Sequence, residues 1–475
     1  MIGFNSPLFL FLFLPIFMAL FYLAGKSGKL IIGIISSLIF YAWGSLLYMP
    51  LMLGLLIINF LIGRILGGPI SRNKRSVLIW GGILIDIGIL AFFKIWHGIS
   101  FPLGLSYVSF QLVSYLLDVN WKKIEGEESF LKFAFYVLLF PKILVGPITR
   151  YGPLKEQIGK FNITSEGVAA GIRRFIIGLA KKILIADFLA KIVNPVFTLS
   201  KPLITPWLAW FVLVSFTLQL YFDFSGYTDM AIGLGQMMGL KFLENFNFPY
   251  ISKNISEFWR RWHISLSSWF RDYLFLPLSY AISNRLKKQS YFYLKTEFVI
   301  NFVAIIITFL LTGLWHGVTW NYVVWGMLHG SAIVFERTGL GKRLRAFWPP
   351  IQHIYALTII LISWVFFRSP DIRFALRFLL RLAGDTRGVS PLIFQVTSPL
   401  PIIDPTVILA FIFGIVFCIP IGRWIDKLIS RLEKNDSVMR LPLQIIYDIS
   451  LFLLFTTSVA ALVSSVFAPG IYGKF

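Results

Sequence analysis

Residues 298–315 pass through eighteen positions without one charged side chain. An α-helix of that length is ~27 Å long, close to the ~30 Å hydrocarbon core of a bilayer. Runs of the same kind recur at 6–24, 30–45, 47–68, 77–93, 131–147, 205–222, 319–335, 352–367, 406–422 and 444–467. A water-soluble fold cannot bury so many. Only 14% of the residues are charged and 57% are hydrophobic, where a soluble domain has about 25% charged. Inside lipid each backbone polar group must bond within its own segment, which makes such spans helical. The sequence therefore reads as an all-α, polytopic membrane protein with ten to twelve crossings, folded as a single domain over residues 1–475. The run at 6–24 lacks the basic start and small-residue cleavage site of a signal peptide, and is read as a retained helix. Two further segments are apolar but interrupted, 101–120 by Pro102 and Gly104, and 167–197 by Arg173, Arg174, Lys181, Lys182 and Lys191. They are read as buried or interfacial helices.

The formal charge is +22. On a soluble chain this would be a nucleic-acid footprint; in a membrane chain it reflects basic loops retained on the cytoplasmic side against anionic lipid. Basic clusters lie at 64–75, 173–191, 253–295, 337–345 and 423–440, whereas Lys201 is the sole basic residue of 46–60, 195–210 and 313–325. The first set is placed in the cytoplasm, with no nucleic-acid partner expected. The apolar run from 298 starts beside a basic loop, so His316 falls at its far end, deep in the bilayer or towards the outer face. A single cysteine, Cys418, excludes an internal disulfide.

Histidine is scarce, at five residues: His97, His263, His316, His329 and His353. An imidazole at bilayer depth marks a functional site by default, and a neutral one can accept the proton of an attacking hydroxyl. A packing histidine bonded to a neighbouring hydroxyl or carbonyl is the competing reading for His316. The polar island 253–295 carries eight basic residues against Glu257 and Asp272, together with Trp259, Trp262 and Trp269. That mixture suits a pocket for an anionic, planar ligand such as a coenzyme A thioester. It equally suits an interfacial anchor of snorkelling arginines and belt tryptophans, and composition alone favours the anchor. No metal-ligand spacing, nucleophile elbow or phosphate-binding loop is present. Asp86, Asp223 and Asp229 interrupt apolar stretches; a transporter would use them as an ion path, but they equally cap broken helices or pair with arginine.

Several stretches, taken together, resemble the membrane-bound O-acyltransferase family, and most closely its bacterial alginate O-acetyltransferase branch. They include Asn247-Phe-Pro-Tyr, Trp259-Arg-Arg-Trp-His-Ile-Ser-Leu-Ser-Ser-Trp-Phe-Arg-Asp-Tyr273, Thr312-Gly-Leu-Trp-His-Gly317 and Trp325-Gly-Met-Leu-His-Gly330. Phe140-Pro-Lys-Ile-Leu-Val-Gly-Pro147 and Tyr221-Phe-Asp-Phe-Ser-Gly226 fit the same branch in order. The resemblance implies a ring of tilted transmembrane helices with interfacial and re-entrant helices, enclosing a tunnel from the cytosolic donor side to the outer face. It implies a catalytic role for His316 and a supporting one for His263. Trp262, Arg260, Arg261, Arg271, Asp272, Trp315, Asn321 and His329 become candidates for binding donor or substrate. The implied donor is acetyl-CoA or another acyl thioester, with no permanently bound cofactor and no metal. The implied acceptor is an exported polysaccharide such as alginate, reached with an extracytoplasmic SGNH-type acetyltransferase partner, in the bacterial inner membrane. D-alanyl transfer to teichoic acid from an acylated carrier, and peptidoglycan O-acetylation, are the alternatives within the family. A non-enzymatic transporter is the alternative outside it, and predicts paired broken helices in two repeated halves.

Overall fold

The computed structural model describes residues 3–96, 98–198, 204–286, 288–291, 293–389, 403–422, 424 and 440–464. His97, Lys201, Lys287 and most of the basic segment 423–440 lie outside these described residues. The structure is all-α apart from one small hairpin, in which Ser290 pairs with Lys295 and Tyr291 with Leu294. Among the described residues six helical stretches are long and apolar enough to cross a membrane: Lys26–Gly67, Arg72–Ile95, Pro206–Met237, Thr296–His316, Pro349–Arg368 and Pro442–Ser464. The first is two helices of 20 and 19 residues, Lys26–Ser45 and Met49–Gly67, separated where Ser45 leaves helical geometry (φ −158°, ψ 45°). Phe9–Leu23 and Pro405–Phe417, both expected as crossings, form shorter apolar helices.

Two expectations are corrected. The apolar run 131–147 is not a spanning helix: Phe130–Leu138 is followed by the four-residue Phe140–Ile143 and irregular chain. Pro141 and the Gly146-Pro147 pair interrupt it, and residues 133–149 are buried against protein rather than lipid. The span expected to end at 222 instead continues as the 32-residue helix Pro206–Met237. Its polar second half is tolerated because Asp223, Ser225 and Thr228 are buried inside the protein. Within that helix 83% of the apolar stretch is buried, against 11% for Pro442–Ser464.

The chain divides into two compact units, one formed by Met1–Ile183, Phe224–Glu244 and Ile449–Phe475, the other by Leu184–Asp223 and Asn245–Asp448. The first is centred on Phe140, whose ring meets Phe17 at 5.0 Å, Phe13 at 5.3 Å and Phe40 at 5.4 Å. Its Asp229 is answered by Arg174 at 2.8 Å and Lys181 at 2.6 Å, an ion-pair cluster that also holds Glu244. Asp86 accepts from Asn59 Nδ2 at 2.9 Å. Of the three carboxylates considered as an ion path, Asp229 is thus bound up in structural pairing.

The second unit contains the helices that carry His316 and His329, Thr296–His316 and Trp320–Arg337. Lipid supplies no hydrophobic drive between helices, so close association depends on small residues. A Cβ at Gly313 would lie 2.3 Å from the Tyr322 carbonyl oxygen, and one at Gly326 2.3 Å from that of Phe309. Only glycine lets these backbones approach so closely. Gly326→Leu should force the pair apart at a cost of about 1–3 kcal/mol, read as a lower melting temperature of the detergent-purified protein. Gly54→Ala, whose new methyl meets nothing within 4 Å, should leave that temperature unchanged or raise it.

Candidate active site

His316 is the last residue of its 21-residue helix, and extended Gly317 follows. The helix begins beside the basic hairpin, so its ~30 Å length separates His316 from that charge. The imidazole is 6% exposed and walled by aromatic rings. Trp315 stands at 4.4 Å, Trp325 and Phe367 at 5.0 Å each, and Tyr322 at 6.1 Å between centroids. The Gly313–Gly326 approach delivers the Trp325 ring to it. Phe367 arrives from the helix Pro349–Arg368.

One turn beyond Trp325 on the same helix is His329, 0% exposed, its ring 5.1 Å from the Trp325 ring. Its protonation follows from its partners. Trp259 Nε1–H, which can only donate, gives to His329 Nδ1 at 3.3 Å. Nδ1 is therefore bare, and the neutral ring carries its proton on Nε2. Nε2–H then donates to Ser363 Oγ at 3.0 Å, while the Ser363 hydroxyl donates to the Ile360 carbonyl at 2.7 Å. Both nitrogens of His329 are committed to protein partners.

His263 sits elsewhere in the second unit, outside the six apolar stretches. It caps the short helix Ile264–Phe270 in a left-handed conformation (φ 43°, ψ 54°). Such a backbone is unusual for a residue with a side chain, though histidine adopts it more readily than most, and Asn245 holds it there. Asn245 Oδ1 accepts from His263 Nδ1 at 3.2 Å, Ser265 N at 3.1 Å and Ser265 Oγ at 2.9 Å. Any proton His263 exchanges runs through Nε2. Neighbouring Trp262 joins the aromatic layer through Trp364 at 5.1 Å.

The polar island splits by exposure. Arg261 is committed to Glu257 at 2.9 Å and the Asn247 carbonyl at 3.0 Å. Arg260 is exposed, and Arg271, 63% exposed, lies beside Asp272 at 2.7 Å. The helix Ile255–Arg261 is fastened by Glu336, a 2% exposed carboxylate that accepts from Ile255 N at 2.6 Å and Ser256 N at 3.0 Å. A carboxylate at a helix N-terminus satisfies open N–H groups and the helix dipole together. Asn321 donates to the Ser369 carbonyl at 2.7 Å.

Of the residues singled out from sequence, the structure gathers His316 and His329 around Trp325, with Trp315 against His316. Trp262 lies one aromatic layer away, while Arg260, Arg271 and Asp272 lie towards the exposed part of the polar island. Trp325, Trp364, Phe367, Ser363, Asn245 and Glu336 were not anticipated. The four-residue spacing of Asn321, Trp325 and His329 places them on one helical face and could have revealed Trp325. Ser363 and Asn245 are 34 and 18 residues from their histidine partners, and no local pattern announces them.

The chain is thus an all-α membrane protein with buried imidazoles in an aromatic enclosure. The family model of the membrane-bound O-acyltransferases matches residues 121–367. The chain belongs to that family and is an acyltransferase. It is 38% identical over 398 residues to the probable alginate O-acetylase AlgI of Pseudomonas aeruginosa, covering 79% of this chain and 73% of that protein. A peptidoglycan O-acetyltransferase of Helicobacter pylori is 33% identical over 442 residues, 82% of this chain and 80% of its own length. The teichoic acid D-alanyltransferase of Bacillus subtilis is 31% identical over 278 residues, 54% of this chain and 68% of that protein.

Burial lowers the His263 imidazole from its ordinary 6.5 to about 3. Between these values the unfolded chain binds a proton that the folded chain does not. This group's contribution to stability is complete above pH 6.5 and is lost as pH falls, by about 1.4 kcal/mol per pH unit. The melting temperature should therefore drop between pH 7.5 and 5, and His263→Gln should flatten that drop.

Proposed function

We propose that this chain is the membrane component of a polysaccharide O-acetylation system in the bacterial inner membrane. It takes an acetyl group from a cytosolic thioester, acetyl-CoA, and moves it towards the hydroxyl groups of an exported polymer such as alginate. An extracytoplasmic SGNH-type acetyltransferase completes delivery. The observation that carries this reading is the position of His316: an enclosed imidazole one membrane-crossing helix away from the basic hairpin. A donor bound from the cytoplasm and an acceptor reached from outside meet at this end of the helix.

His316 serves as general base, taking the proton of the attacking hydroxyl and returning it to the leaving thiolate. Exposed Arg260, and Arg271 beside Asp272, are the arginines best able to meet donor phosphates; Arg261, held by Glu257, instead maintains its helix. His263 and His329 are positioning residues, the first ordering the turn between two short helices, the second fixing Trp259 against the aromatic enclosure. The similarity to alginate O-acetylases over 79% of the chain supports the polysaccharide acceptor.

His316→Ala should abolish polymer acetylation, by at least 10³-fold if base and positioning are both lost, while membrane insertion and protein level stay at wild-type values. Mass spectrometry of surface polysaccharide from the complemented deletion strain measures it; acetylation retained in the variant rejects the assignment. Analysis of peptidoglycan and teichoic acid from the same cells separates the polysaccharide reading from the two related acceptors.

A further inference from the structure

Asn321, Trp325 and His329 share one face of the Trp320–Arg337 helix but differ in hydrogen bonding. His329 is saturated, as described. Asn321 uses its amide N–H on Ser369, yet its Oδ1 finds no donor among the described residues. Trp325 is 1% exposed, and its indole N–H finds no acceptor among them. The same holds for Trp364, 0% exposed and layered on Trp325 with centroids 6.5 Å apart and planes 19° apart. Buried indoles ordinarily find a partner for their N–H, and leaving one without an acceptor is unfavourable. Here two such donors occur in one aromatic cluster, while the neighbouring Trp259 is paired. The Trp325 ring is packed edge-on against both His316 (5.0 Å, 83°) and His329 (5.1 Å, 64°).

We propose that the Trp325 indole N–H receives the acyl carbonyl oxygen during transfer, as an oxyanion-stabilising catalytic group beside His316. This rests on the acetyl-CoA reading given above. The acceptor hydroxyl oxygen bonds to the thioester carbonyl carbon while its proton passes to His316. The carbonyl π pair moves onto oxygen, where the Trp325 N–H meets the developing charge. As C=O re-forms, the C–S bond breaks, and the coenzyme thiolate leaves with the proton held by His316. An indole suits this place because its N–H only donates and does not titrate, so it cannot compete for the proton that His316 handles. Among apolar rings its hydrogen bond to a growing charge is stronger than in water.

The test uses the full-length, detergent-purified chain and two unreactive coenzyme A ligands. One is a ketone analogue of acetyl-CoA with methylene in place of sulfur; the other is S-ethyl-coenzyme A, which lacks the carbonyl oxygen. The wild type should bind the ketone roughly five- to tenfold more tightly, the range of one neutral hydrogen bond. In Trp325→Phe the ratio should fall to about one while S-ethyl-coenzyme A affinity is kept, which also reports an intact fold. Its kcat should drop roughly 10²- to 10³-fold, the effect of removing one such donor, with KM near wild type. A ratio kept in Trp325→Phe overturns the proposal, and so does an equal loss for both ligands, which would mark a packing role. If Trp364→Phe alone collapses the ratio, the donor is Trp364 and the proposal fails. If neither ligand binds the wild type, the acetyl-CoA reading falls, and this inference with it.

Discussion

The hydrogen bonds that run from Trp259 through His329 and Ser363 to the Ile360 carbonyl set the terms for the rest of the second unit. Each polar group in that series has a fixed role: indole N–H gives, Nδ1 takes, Nε2–H gives, the hydroxyl takes and gives, and the carbonyl takes. At membrane depth such completeness is required, since water cannot repair an unmade bond. The series joins three separate pieces of chain, Ile255–Arg261, Trp320–Arg337 and Pro349–Arg368. Glu336 fastens two of the same helices at another point, through the amides of Ile255 and Ser256. Against this satisfied framework the indoles of Trp325 and Trp364 stand out, their N–H groups having no acceptor among the described residues.

Much of this was legible from one dimension. Charge-free runs specified helices, and the asymmetry of lysine and arginine put His316 opposite the basic hairpin. What did not show was which apolar runs meet lipid and which meet protein. Residues 131–147 and 223–237 are opposite cases: the first is hydrophobic yet broken and interior, the second polar yet helical and interior. Hydropathy measures the residue and not its neighbour, so it misjudged both. Histidine chemistry had the same limit. His263, His316 and His329 were equivalent candidates by type, but Asn245, Trp259 and Ser363 distinguish their protonation, and these partners are distant in sequence.

The division of labour among the arginines follows the same logic. Arg261 and Arg260 are adjacent, yet helical geometry turns one towards Glu257 and the Asn247 carbonyl and the other to the surface. Two neighbours of identical chemistry thus become a brace and a free cationic surface. Arg-rich composition says how much positive charge a face holds, not how much of it is available to a ligand.

The bonds ending on Ile360 also have a direction. Each hydrogen in the series points the same way, and the final carbonyl has none to pass on. Relay of a proton would require the imidazole to give up its Nε2 hydrogen and receive another at Nδ1, but among the described residues Nδ1 is met by an indole that does not release its own. The arrangement is therefore an insulator rather than a wire. A buried histidine held this way on both nitrogens keeps one tautomer and fixes the three helices it joins, but does not hand protons between them.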